Sequence, residues 1–346
     1  MAASVRIGII GAGNFTQQRH IPKLQEQSGV DILAVCNRTP QTVQQVAKTF
    51  GIPRAFTDWR EVIAQPDIDA VLIGTPPYAH HQMTLAALEA GKHVLCEGRM
   101  ATNLREAREM EQKARESGLK TMLVRTSFCL RGQRFVKRLL EDGYVGRVRQ
   151  VFGYWFVPSY VDSAAPLHWR QDARVSGATN PLFLSPFWEV FVPWFGGARR
   201  VLAQSATFTD RRASPDGGSP VKIELPDAVN VVAEMESGAI VTILQSGVAP
   251  FGQSRVEIFG DRGTLSYLVR GDGIQGGRLG EASLQPFTIP PELEETWQVE
   301  ADFIRLVRGE LEEGHPTFRE GVGYTELAEA TMCSAREGRW VSLPLA

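Results

Sequence analysis

Gly11 and Gly13, within Gly11-Ala12-Gly13-Asn14-Phe15-Thr16, are the residues whose spacing most directly implies chemistry. They follow an apolar run at 5–10 and precede a partial helical stripe of Phe15, Ile21 and Leu24. Strand, glycine turn and helix in that order make an anion site. Gly11 permits a tight turn, Gly13 lets the backbone approach a pyrophosphate, and the helix start, with Asn14 and Phe15, offers free N–H groups and a positive dipole end. Thr16 takes the usual third-glycine position, which governs helix–strand packing more than phosphate contact. A second apolar run at 31–36 ends in Asn37-Arg38-Thr39 rather than in an acidic residue. An acid there would hold ribose hydroxyls. Arg38 can instead pair with a 2′-phosphate, and Asn37 and Thr39 can donate to it, so NADP(H) is the expected dinucleotide, with NAD possible.

These groups need a frame, and the alternation of patterns supplies one. Helical stretches at 42–50, 80–90 and 103–116 alternate with strand-like runs at 55–57, 70–73, 93–96 and 120–124. Short links between them predict a doubly wound, parallel Rossmann sheet over residues 1–124. Ligands sit at the carboxyl ends of such strands. That places Thr75 and Pro76, His80 and Glu97 near the same crevice as the glycine turn, with Arg125 just past the last strand.

From residue 125 to 346 the pattern changes to an α+β domain with an open, mostly antiparallel sheet. Strands are expected at 148–156, 201–208, 228–236, 240–245, 256–259 and 264–269, and helices at 133–141, 187–195, 294–308 and 319–337. The stretches 211–220 and 271–280 are rich in Gly or Pro and are expected as exposed loops.

Composition excludes several function classes. With 346 residues and a formal net charge of −2, the chain offers no electrostatic case for nucleic acid or an anionic membrane. No apolar stretch approaches the roughly 18 residues that would span a bilayer. Cys36, Cys96, Cys129 and Cys333 lack metal or disulfide spacing, so no metal is expected. Without a signal-peptide layout, a cytoplasmic protein is the expectation.

The chain resembles the glucose–fructose oxidoreductase, inositol dehydrogenase and MocA family over nearly its whole length. The likeness rests on Gly8-Ile9-Ile10-Gly11-Ala12-Gly13, on Ile73-Gly74-Thr75-Pro76-Pro77 with His80, and on Ala86-Ala87-Leu88-Glu89-Ala90-Gly91-Lys92-His93-Val94-Leu95-Cys96-Glu97. Further along it rests on Trp169-Arg170, Gly177, Trp194-Phe195-Gly196-Gly197 and the tail from Ala335 to Val341. The resemblance implies NAD(P)-linked oxidation or reduction of a small, carbohydrate-like hydroxy or oxo compound. It also implies a homodimer or homotetramer packed through the second-domain sheets.

The family follows the glutamate with Lys-Pro and carries an Asp-x-x-x-His motif; the lysine and histidine handle the reacting proton. Here the string is Glu97-Gly98-Arg99-Met100, so Gly98 stands at the lysine position. Arg99 replaces a proline whose peptide bond is commonly cis, and a trans bond is expected in its place. Anchoring on Gly177 and Trp194 puts Phe183 on the aspartate and Phe187 on the histidine. Arg99 stays protonated but can stabilise an oxyanion or hold a carboxylate. His168 is the remaining acid/base of the right type. Glu189, Tyr154 and Tyr160 are weaker candidates. His20 is expected to pack or cap the first helix, and His80 to serve a helix start near the cofactor. Two readings follow: an oxidoreductase with a rebuilt proton-transfer site, or a non-catalytic dinucleotide-binding sensor or partner subunit.

Overall fold

The structure, a computed structural model, describes residues 4–125, 130–178, 181–182 and 184–346. The chain divides into two units, one of residues 1–127 and 297–323, the other of residues 128–296 and 324–346.

The first unit is built on β1 (Val5–Ile10), β2 (Val30–Cys36), β3 (Arg54–Phe56), β4 (Ala70–Ile73), β5 (His93–Cys96) and β6 (Thr121–Leu123). All neighbours are parallel, in the order β3-β2-β1-β4-β5-β6. The central strand β4, and β1 apart from Arg6, are apolar and buried, because crossover helices cover both faces of such a sheet. The strand order reverses between β1 and β4, which opens a crevice at their carboxyl ends. The crossover helices begin and stop where local chemistry dictates. Thr39 caps the helix Pro40–Phe50, and Gly51 ends it with φ 68°. Asn103 caps Leu104–Ser117 by accepting from the Glu106 N–H, and Gly118 ends it in the same left-handed conformation.

The segment 297–323, expected with the second domain, packs in the first unit. The helix Val299–Val307 presents Val299, Phe303, Ile304 and Leu306 to a cluster with Ile9, Ile21, Leu24, Leu72 and Leu95. The Arg308 guanidinium then donates to the carbonyls of Ser28 and Gly29, at 2.6 and 2.9 Å. Apolar spacing shows that this helix has a buried face; it does not show which core receives it.

The second unit holds β7 (Val148–Phe156), β8 (Ala198–Ala206), β9 (Arg211–Arg212), β10 (Val221–Lys222), β11 (Ala228–Met235), β12 (Ile240–Ser246), β13 (Arg255–Gly260), β14 (Gly263–Leu268), β15 (Gly273–Arg278), β16 (Gln285–Phe287) and β17 (Val341–Ser342). Apart from the β9–β10 pair they form one sheet, ordered β16-β15-β14-β13-β7-β12-β11-β8-β17. Only β7 and β12 run parallel. Inward residues alternate strictly along β11 and β12, from Val229 to Met235 and from Val241 to Gln245. The helix Leu184–Phe195 lies on the bare backbone of Gly153, where an added Cβ would come 2.8 Å from Phe191 and 3.2 Å from Phe187.

Two expected loops carry strands. Within 271–280, β15 buries Ile274 and leaves Gly276 and Gly277 where any Cβ would collide with Leu265, Phe287 or Leu284. Those glycines serve close packing inside a strand, which by composition alone is indistinguishable from loop flexibility. Within 211–220 the short pair β9–β10 begins at Arg211.

Candidate dinucleotide site

The glycine turn leaves β1 with the Gly11 N–H donating to the Cys36 carbonyl at 2.9 Å. Gly11 has φ +89°, and a Cβ there would sit 2.8 Å from the Thr75 backbone nitrogen. The Gly13 face is open: a Cβ added there would meet nothing within 4 Å. Thr16, 1% exposed, turns inward and donates its hydroxyl to the Gly11 carbonyl at 3.1 Å. The close approach usually supplied by a third glycine comes from Gly74, whose Cβ would lie 2.5 Å from both the Gly11 oxygen and Thr16 Oγ1. The chain then winds through one π-helical turn, Thr16–His20, before the helix Ile21–Gln25. The N–H groups that open a helix have no acceptor within it. An open backbone of this kind fits a pyrophosphate.

Asn37 and Thr39, expected to donate to a phosphate, each also have a local structural task. Asn37 Oδ1 accepts from the Ala12 N–H at 2.8 Å, so this side chain tethers the turn. Thr39 Oγ1 caps its helix through the Thr42 N–H at 3.3 Å and pairs with the Thr42 hydroxyl at 2.7 Å. In both, a side-chain oxygen accepts from a local backbone N–H, and the Asn37 amide nitrogen lies 3.4 Å from the Ala12 carbonyl. Arg38 is exposed and has no partner among the described residues.

His80 joins two loops of the crevice. It is fully buried, with Nε2 2.6 Å from the Thr75 carbonyl and Nδ1 3.0 and 3.2 Å from the carbonyls of Arg99 and Met100. Burial pushes its pKa down, against the carbonyls and the Glu97 charge. The Gly98–Arg99 peptide bond is cis, not trans as expected. The expectation rested on the local preference alone; in the structure the Arg99 and Met100 carbonyls that follow lie against the buried His80 ring. Arg99 is buried at 8% exposure, and Arg125 is half-buried past β6. Pro76 leads into the short turn Pro77–Ala79, and Thr75 Oγ1 faces Met83 Sδ at 3.7 Å.

His20 holds a larger place than helix packing. Its ring is fully buried, with Nδ1 2.5 Å from Glu300 Oε1 and Nε2 2.8 Å from Glu97 Oε1. Glu300 Oε2 accepts from the Trp297 indole at 2.7 Å. Phe15 stands edge-on to both rings, 5.1 Å from His20 and 5.8 Å from Trp297, and Arg19 lies 4.7 Å over Trp297. Burial opposes the charge on His20, but the two carboxylates prevail and raise its pKa to about 9. Nothing local in the sequence pairs a histidine at 20 with a glutamate at 300.

The other candidates lie in the second unit. His168 is exposed and opens the short turn Trp169–Gln171, its Nδ1 accepting from the Arg170 N–H at 3.2 Å. Phe187 is buried completely among Gly153, Trp155 and Phe191. Glu189 is half-buried, Tyr154 stacks under Arg255 at 4.2 Å, and Tyr160 is buried. Phe183 and Cys129 lie outside the described residues. Among the described residues no three His, Cys, Asp or Glu side chains are grouped to hold a metal, and no helix is long and apolar enough to cross a membrane.

Fold and glycine turn together define a protein with an NAD-binding Rossmann unit and a second unit built on one large, mostly antiparallel sheet. The chain belongs to the GFO/IDH/MocA oxidoreductase family. Residues 5–124 match its NAD-binding Rossmann domain and residues 134–266 its C-terminal domain. It is 23% identical to levoglucosan dehydrogenase of Pseudarthrobacter phenanthrenivorans, over 90% of this chain and 89% of that one. It is 27% identical to 1,5-anhydro-D-fructose reductase of Ensifer adhaerens, over 75% of this chain and 74% of that one. A solved structure of levoglucosan dehydrogenase in complex with NADH and L-sorbose superposes with a TM-score of 0.85 at 22% identity, over 99% of both chains.

Proposed function

We propose that this chain is an NAD(P)-linked oxidoreductase that interconverts a hydroxyl and a carbonyl on a sugar, polyol or related small molecule. The observation that carries the reading is the glycine turn: open at Gly13, tethered by Asn37 and packed through Thr16 and Gly74. When bound, the nicotinamide supplies hydride exchange. The chain's own part is to bind and orient. The N–H groups at 13–15 hold the pyrophosphate, Thr75, Pro76 and Glu97 belong to the loops at the carboxyl ends of β4 and β5, and His80 braces those loops from behind.

Arg38 supports a preference for NADP(H), because it is exposed, permanently charged and without a partner among the described residues. Relatives with sugar names, and NADH in a structure of the same fold, support the broader NAD(P) reading. Gln245 supports a hydroxylated ligand: at 1% exposure neither end of its amide has a hydrogen-bond partner among the described residues, and it faces inward on β12. His168 is the proposed proton carrier. With Nδ1 accepting from backbone, the neutral ring carries its proton on Nε2, which can be given up or retaken there. Arg99 is the proposed partner for an oxyanion or a carboxylate.

The test is NADPH and NADH turnover over a panel of sugars, polyols and oxo acids, with titration calorimetry of both dinucleotides. Arg38→Ala is expected to weaken NADPH by about 1–3 kcal/mol and leave NADH unchanged. His168→Ala is expected to lower turnover while sparing dinucleotide affinity. A wild-type protein that binds neither dinucleotide would overturn the reading. Dinucleotide binding without turnover on any substrate would favour the sensor reading, for which the complete burial of Phe187 at the aligned histidine position speaks.

A further inference from the structure

Resting on the dinucleotide reading, a role follows for a residue outside the motifs. His20 sits between two carboxylates from distant parts of the chain, Glu97 at the end of β5 and Glu300 in the helix Val299–Val307. The two partners are not equivalent. Glu300 is 2% exposed and also accepts from Trp297, whereas Glu97 is 17% exposed and its second oxygen takes no hydrogen bond among the described residues. Glu300 is therefore the anchor and Glu97 the group being held. Phe15, the residue that follows Asn14 in the glycine turn, packs edge-on against the same imidazole.

We propose that His20 is a positioning residue: clamped by Glu300, it fixes the Glu97 carboxylate at the crevice and ties it through Phe15 to the glycine turn. An imidazolium donates from both nitrogens and satisfies both carboxylates. A neutral imidazole has one N–H, so one carboxylate must then face a lone pair. Glu97, with water at hand, is the one released. Dinucleotide affinity accordingly depends on the protonation of a buried ring. The charged groups facing that ring are Glu97 and Glu300, with the Arg19 guanidinium behind Trp297. The carboxylates outweigh burial and hold the imidazole protonated up to a pKa of about 9.

The experiment follows the ring nitrogens of His20 by 15N NMR from pH 6 to 10. In parallel, NADH and NADPH affinities are measured by fluorescence titration at pH 7 and pH 10. Wild-type protein, His20→Gln and Glu300→Gln are compared, with circular dichroism confirming that each is folded. Both ring nitrogens are expected to stay protonated past pH 8 in the wild type. Affinity for both dinucleotides is expected to fall roughly tenfold at pH 10, the scale of one charge-assisted contact. His20→Gln should show that loss already at pH 7 and a flat response to pH. A folded His20→Gln protein with wild-type affinity and wild-type pH response would overturn the proposal, as would a wild-type ring that titrates near 6.5. Should His20→Gln fail to fold, Glu300→Gln decides: an unchanged pH response there overturns the proposal, and a response shifted to lower pH upholds it. Failure of wild-type protein to bind any dinucleotide is the separate outcome that overturns the reading beneath.

Discussion

Alanine at Gly74 should damage the glycine turn from a distance. Gly74 is not in the left-handed region, so space alone is at issue. Its Cβ would stand 2.5 Å from the Gly11 carbonyl oxygen and 2.5 Å from Thr16 Oγ1, about 0.9 Å short of ordinary contact. One of those atoms is the backbone of the turn, so relief means moving the turn. Overpacking of this kind costs about 1–3 kcal/mol, and urea unfolding of Gly74→Ala should show a loss near the middle of that range. Dinucleotide titration should show weaker binding of NADH and NADPH alike. Thr16→Gly in the same chain removes one of the two overlaps and leaves the other. The double variant should therefore recover only part of the loss, with a coupling of about 0.5–1 kcal/mol between the positions. Gly74→Ala within about 0.5 kcal/mol of wild type, with undiminished dinucleotide affinity, would refute the transfer of the third glycine's role from Thr16 to Gly74.

Stability should also depend on pH through His20. A folded-state pKa of about 9 against an ordinary 6.5 makes the imidazolium worth about 3 kcal/mol. That contribution is complete below pH 6.5 and disappears as pH rises through 9. The difference in urea midpoint between pH 6.5 and 9.5 should be clearly smaller in His20→Gln than in wild type, and equal differences would count against it. Gln245→Met should stabilise the second unit by about 1 kcal/mol, since it removes a buried amide with no hydrogen-bond partner among the described residues; a weakened sugar affinity in the same variant is expected if Gln245 meets substrate. The outer face of the second-unit sheet carries Phe152, Tyr154, Leu244, Phe259 and Leu268, half-buried or exposed on strands β7, β12, β13 and β14. Such a face predicts a second copy of the chain against it, and light scattering showing only a 38 kDa species at micromolar concentration would contradict that.

The periodic parts of this fold were legible in the residues. The run Val148–Phe156 and the alternation from Ala228 to Met235 announce half-buried strands, and the order of strand, glycines and helix at 5–25 announces the crevice. What escaped was whatever depends on distant partners. A strand at Gly273–Arg278 looks like a loop because its glycines are small for the sake of Phe287 and Leu265. Asn37 and Thr39 have the right chemistry for a phosphate, and only geometry shows that their oxygens also hold the Ala12 and Thr42 N–H groups. His20 and Glu300 are polar residues in unremarkable strings whose meaning appears when the helix Val299–Val307 returns to the first sheet.

That return has a consequence for how the protein is made. The first 125 residues leave the ribosome with Ile9, Ile21, Leu24 and Leu95 still lacking Phe303, Ile304 and Leu306. At about 5–20 residues per second, translation from residue 125 to residue 297 occupies roughly ten to thirty seconds. For that interval the nascent sheet carries an uncovered apolar flank and a buried-type histidine without one of its two carboxylates. A gene fragment cut at the apparent end of the Rossmann pattern would keep that flank permanently bare, and its product should aggregate. A version that splices 297–323 back on through a short linker should stay in solution.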